Sequence, residues 1–75
     1  MKMTVKEKID FLEEIMDVDE GVLTEDTILE DVEEWDSLSA LSLMAEMKNK
    51  YGIRLESKTI KEFRTVADIC RCIPD

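Results

Sequence analysis

At 75 residues the chain is expected to form one domain over residues 1–75, near the lower limit at which a core holds without staples. Its formal charge of −9, from 10 Lys or Arg against 19 Asp or Glu, argues against nucleic acid as a partner, because phosphate contacts need clustered cations. With no His and only Cys70 and Cys72 as thiols, no ligand set for a structural zinc exists. Two residues apart on a helix, these thiols point to nearly opposite sides and can neither pair nor share a metal. Unpaired thiols fit a reducing compartment, so the expected location is cytoplasmic. Charges interrupt Met1-Lys2-Met3-Thr4-Val5-Lys6-Glu7, so no signal peptide is expected. No apolar stretch has the length of a membrane span.

Val5, Ile9, Leu12 and Met16 recur at steps of four, three and four, with Phe11 and Ile15 widening the stripe. This spacing predicts an amphipathic helix over roughly 3–16. Asp17-Val18-Asp19-Glu20-Gly21 ends it. A long connection runs from there to Asp36, carrying Val22, Leu23, Ile28, Leu29, Val32 and Trp35. A loop of this length either functions or packs its own side chains, and Leu29 and Ile28 are the residues expected to be buried. The second helix is predicted from Ser37 to Tyr51, with Leu38, Leu41, Met44 or Ala45, Met47 or Lys48, and Tyr51 at helical spacing and Gly52 as the stop.

Ile53-Arg54-Leu55 is too short to found a sheet. A brief helical turn is expected near 58–62, with Ile60 and Phe63 facing inward. Thr65 reads as the N-cap of a last helix, with Asp68 closing a capping-box-like pair. Val66, Ile69, Cys70 and Ile73 line its inner face, and Pro74 ends it. The predicted class is all-α: a bundle of three main helices and one short one, with a long loop between the first two.

Most chemistries are excluded cheaply. Without His, Ser37 lacks the usual base of a serine nucleophile. Gly21 and Gly52 are isolated, so there is no glycine-rich cradle for a nucleotide. Asp17-x-Asp19-x-Gly21 starts like a calcium loop but places Gly, Val22 and Ile28 where a ligand, a turn Gly and a closing acid are required. The carboxylates Glu30, Asp31, Glu33, Glu34 and Asp36 read as a solvated acidic loop rather than a cation site. Neither catalytic nor metal-ligating residues are therefore assigned. Ser37 is different, because it stands where a helix begins. A phosphate esterified there meets first-turn N–H groups and the positive end of the helix dipole. Asp and Ser are also ordinary N-caps, so the tripeptide alone leaves both readings open.

Leu29-Glu30-Asp31 leads through Trp35 to Asp36-Ser37-Leu38, followed by Leu41, Met44, Met47, Tyr51-Gly52-Ile53 and Leu55, and then by Phe63-Arg64-Thr65-Val66-Ala67-Asp68-Ile69. Over roughly residues 5–73 this pattern resembles the acyl carrier protein family. The resemblance implies an acyl-carrier-like fold and a 4′-phosphopantetheine arm on Ser37, taken from coenzyme A by a phosphopantetheinyl transferase. The arm's thiol would carry acyl or aminoacyl groups as thioesters. Asp36 would help position the transferase and its metal, and Leu38 would pack at the rim of the partner-docking face. The implied partners are that transferase, an acyl-loading ligase or acyltransferase, and downstream biosynthetic enzymes. The carrier itself would be a non-enzymatic monomer. Family members can also open a cleft between helices for an apolar chain, and Met44 and Met47 would make such an interior adaptable.

The sequence departs from fatty-acid carriers after the serine. Where those are densely acidic, this chain has Ser39, Ser42, Lys48, Asn49 and Lys50. The reading is thus a stand-alone carrier for a dedicated pathway rather than for general fatty-acid synthesis. The alternative is a four-helix interaction module without a prosthetic group. Charge is uneven along the chain. Residues 1–36 hold three Lys and fourteen Asp or Glu, a net −11, whereas residues 37–75 hold seven Lys or Arg and five Asp or Glu, a net +2. Repulsion within the first half is screened over about 10 Å at 0.1 M salt. The melting temperature near neutral pH should therefore rise through a sodium chloride series, and a flat or falling trend would refute the repulsion.

Overall fold

The structure, a computed structural model, describes residues 4–74. Thr4 caps the first helix, α1 (Val5–Met16). Its hydroxyl accepts the Glu7 N–H at 3.1 Å, and the Glu7 carboxylate accepts the Thr4 N–H at 3.2 Å. This reciprocal capping box fixes where the helix starts. The expected start near residue 3 falls on Met3, outside the described residues. At the other end Asp17 takes a left-handed conformation (φ 56°, ψ 47°) and donates its N–H back to Glu13 and Glu14. Asp is one of the few residues besides Gly that tolerates that conformation.

A single 3₁₀ turn, Leu29–Asp31, interrupts the long connection; α2 (Ser37–Tyr51), α3 (Ser57–Glu62) and α4 (Val66–Cys72) follow. Gly52 closes α2 at φ 67° and donates to Lys48 and Met47, a left-handed cap for which Gly carries no Cβ penalty. Thr65 and Asp68 form the predicted capping box at α4. Among the described residues no strand forms, and the one departure from helix and loop is an isolated antiparallel bridge between Ile28 and Thr65. The fold is the all-α bundle that the sequence predicts.

α1 packs against both α2 and α4. Leu12, Leu43, Met47, Val66, Ile69 and Ile73 meet in the core, where each fully buried aliphatic side chain contributes about 1.5–3 kcal/mol. Three burial expectations need correction. Val5 is exposed, because α1 turns Lys8, Phe11, Leu12, Glu13 and Met16 inward instead. On α2 the buried stripe is Ser39, Leu43 and Met47, at steps of four, while Leu38 and Leu41 are 74% and 61% exposed. The first half of α2 is apolar on two sides, so periodicity alone does not choose between them. Finally, Leu29 is buried but Ile28 is 46% exposed, and Leu23 takes the second buried place in the loop.

The loop is tied down at both ends and in the middle. Glu13, 4% exposed, accepts the Gly21 N–H at 2.9 Å and the Leu23 N–H at 3.0 Å through one carboxylate oxygen, Oε2. Leu29 donates to the Arg64 carbonyl at 2.8 Å, and Val66 donates to the Thr27 carbonyl at 3.0 Å. The Ser39 hydroxyl donates to the Glu34 carbonyl. Removing a buried acceptor strands its donors, at about 1–3 kcal/mol per group. Glu13→Ala should therefore lower the melting temperature by roughly 4–8 °C per kcal/mol lost. Glu13→Gln, which keeps an acceptor, should lose less, and exposed Glu14→Ala should lose little. Equal melting temperatures for all three variants would show that the Glu13 tether does not hold the loop.

Candidate functional site

Ser37 is the first residue of α2 and is exposed. Its neighbour Asp36 is the N-cap, with extended backbone (φ −134°, ψ −170°), and accepts the Ser39 N–H at 3.0 Å. That hydrogen bond, the first of several from nearby backbone, holds the Asp36 carboxyl below its ordinary pKa. The helix start therefore already carries an anion of its own. A phosphate on Ser37 would share the positive end of the dipole with Asp36 rather than occupy it alone.

The serines along α2 differ in environment. Ser39, 7% exposed, is fixed between the Asp36 carboxylate and the Glu34 carbonyl. Ser42 lies deeper in the helix beside Phe11 and Ile15. Ser37 alone of the three combines exposure with the helix start. A further serine, Ser57, opens α3 and lines the same groove as Ser37.

That groove, of about 940 Å³, runs beside Ser37 between α2, α3 and the 3₁₀ turn. Trp35, Leu41, Met44, Ile60 and Phe63 supply apolar wall, while Glu30, Asp36, Lys61 and Arg64 supply charge. Ile60 and Phe63, expected to face inward, are half-buried and line this groove. Leu38 stands next to Ser37 on the exposed face of α2, and Leu41 rather than Leu38 reaches the groove wall. An exposed hydroxyl lining a mixed groove suits a flexible arm with both amide and apolar segments.

Sequence reasoning missed the contribution of Lys61 and Arg64: Lys61 sits in no motif, and Arg64, within the pattern from Phe63 to Ile69, signals the approach to the last helix rather than a groove. It also missed the structural use of Ser39, although its place three residues after Asp36 on the 39–43–47 stripe carries that signal. Neither Cys70 nor Cys72 lines the groove. Cys70 is buried, and that burial pushes its thiol pKa up. Among the described residues no three Asp, Glu or Cys side chains are grouped to hold a metal. No described helix is long and apolar enough to cross a membrane.

The structure is thus a small helical bundle with an exposed serine at the head of its second long helix. Residues 9–73 match the family described as the phosphopantetheine attachment site, and the chain belongs to that family. Its members attach 4′-phosphopantetheine covalently to a serine, and they work with phosphopantetheinyl transferases and biosynthetic enzymes as carriers. No curated protein and no solved structure matches the chain.

Asp36 caps α2 and Asp68 closes the Thr65 capping box of α4, and both have pKa values below the ordinary 3.8. For Asp68 the leading causes are the N–H groups of Arg64 and Thr65, at 2.9 and 3.1 Å. A carboxyl with a lowered folded-state pKa adds stability that is present above its unfolded value and is lost as pH falls through the folded value. Acidification also relieves repulsion among the other carboxylates, which acts in the opposite direction. The difference between parent and Asp→Asn isolates the caps, because Asn still caps but does not titrate there. From about pH 5 to about pH 3, Asp36→Asn and Asp68→Asn should each lose less stability than the parent in denaturant titrations. Parallel pH profiles for parent and variants would contradict this.

Proposed function

We propose that this chain is a carrier that holds acyl or aminoacyl groups as thioesters on a 4′-phosphopantetheine arm esterified to Ser37. The observation that carries the reading is positional. Ser37 is exposed, opens a 15-residue helix, and lines the groove. In this reading Asp36 sets the first turn of α2 and so aims the serine. It also presents a carboxylate to the transferase and its metal. Leu38, next to the attachment point, offers apolar contact to enzymes that approach the arm.

The carrier supplies no catalytic group of its own; the reacting thiol belongs to the arm, and the chemistry belongs to its partners. Those partners are a phosphopantetheinyl transferase, a ligase or acyltransferase that loads the arm, and enzymes that consume the thioester. The chain acts as a single domain and a monomer in the cytoplasm, where coenzyme A and reducing conditions are both at hand.

We further propose a dedicated pathway rather than general fatty-acid synthesis. The exposed face of α2 shows Leu38, Leu41, Ser42, Ala45, Lys48 and Asn49, with no carboxylate among them. Its Glu46 is half-buried and pairs with Lys50 at 3.8 Å. A partner that reads an acidic helix finds little to read here.

The test is intact mass after incubation with coenzyme A and a broad-specificity phosphopantetheinyl transferase. The parent should gain one phosphopantetheine, and Ser37→Ala should gain none. An unchanged parent, or a gain that survives in Ser37→Ala through Ser57 or another side chain, would sink the assignment. The loaded parent should then be elongated slowly by generic fatty-acid synthases. Elongation at the rate of a fatty-acid carrier would return the general role.

A further inference from the structure

Two segments of opposite net charge meet beside Ser37. Residues 30–36 carry five carboxylates and no cation. Residues 57–64 carry Lys58, Lys61 and Arg64 against Glu62, a net +2. Both segments reach the groove beside Ser37, the first through Glu30 and Asp36, the second through Lys61 and Arg64. Lys58, Lys61 and Arg64 are exposed. Among the described residues, none of the three forms an ion pair, nor do Glu30, Asp31, Glu33 and Glu34. Leu38 and Leu41, at 74% and 61% exposure, leave apolar surface open on the stretch of α2 that begins with Ser37.

Unpaired charge of one sign raises the local concentration of the opposite sign, and like charges brought face to face are rejected. A wholly basic partner surface would be attracted by residues 30–36 and repelled by α3. A wholly acidic one would meet the reverse. We propose that the surface around Ser37 docks a partner protein that is acidic where it faces α3 and apolar where it faces Leu38 and Leu41. Basic side chains on that partner are confined to the part that meets residues 30–36. The partner's identity as an enzyme acting on the arm rests on the carrier reading above; its charge pattern rests on the surface alone.

The test is an NMR titration of the ¹⁵N-labelled full chain with two amphipathic helical peptides, one of Leu and Glu and one of Leu and Lys. The Leu/Glu peptide should shift amides of residues 57–64 together with those of residues 38–41. The Leu/Lys peptide should shift residues 30–36 and spare α3. In Lys58→Glu/Lys61→Glu, affinity for the Leu/Glu peptide should fall roughly five- to tenfold, and the far-UV circular dichroism of the variant verifies its fold. The proposal is overturned if the Leu/Glu peptide leaves 57–64 unmoved or binds parent and variant alike. It is also overturned if residues 30–36 and 57–64 shift together with protein concentration and no peptide, since a second copy would then occupy this face. Loading of Ser37, read by mass, is independent of all these outcomes. A docking result without loading overturns the carrier reading alone.

Discussion

The connection between Met16 and Ser37 is mostly solvent-exposed, so its course depends on the few backbone N–H and C=O groups that find partners on the helices. It finds them at three places: the Glu13 carboxylate, the segment from Arg64 to Val66, and the Ser39 hydroxyl. Each place belongs to a different helix or helix start. The loop therefore does what a fourth packing element would do, joining α1, α2 and α4 through hydrogen bonds while Leu23 and Leu29 plug the core. The position of Ser37 follows from this. Glu34 is held by the residue two beyond the serine, so the approach to the helix start and the helix itself are fixed as one unit.

How much of this the sequence discloses depends on whether the signal is local. Capping is local: Thr65 and Asp68 stand three residues apart, and Gly52 follows the last periodic residue, so both ends are legible. The inner face of α4 is legible for a similar reason, since Val66, Ile69, Cys70 and Ile73 are all buried and no second apolar stripe competes. On α2 two stripes do compete. Leu38 and Leu41 are as apolar as Leu43 and Met47, and only the tertiary contacts with α1 decide which pair is buried. Glu13 is illegible altogether, because nothing about a glutamate in an amphipathic helix signals that N–H groups from Gly21 and Leu23 converge on it.

The candidate site divides in the same way. Ser37 and Asp36 stand out because a helix start is written in adjacent residues. The groove beside them is assembled from the loop, α2 and α3, and its cationic members come from more than 20 positions downstream. Spacing within one element cannot reveal such a surface. Exposed Leu38 and Leu41 carry a related lesson: apolar residues that miss the core are not errors of pattern, and here they leave apolar surface open next to the helix start.

The burial of Cys70 has a chemical meaning once the chain is set to carry thioesters. A thioester is vulnerable to any thiolate within reach, and the thiolate, not the thiol, is the attacking species. Cys70 lies in the core with its proton held more firmly than in water. This sulfur is withdrawn from exchange twice over, by access and by protonation. A thioester held on such an arm would thereby be spared one intramolecular route of loss.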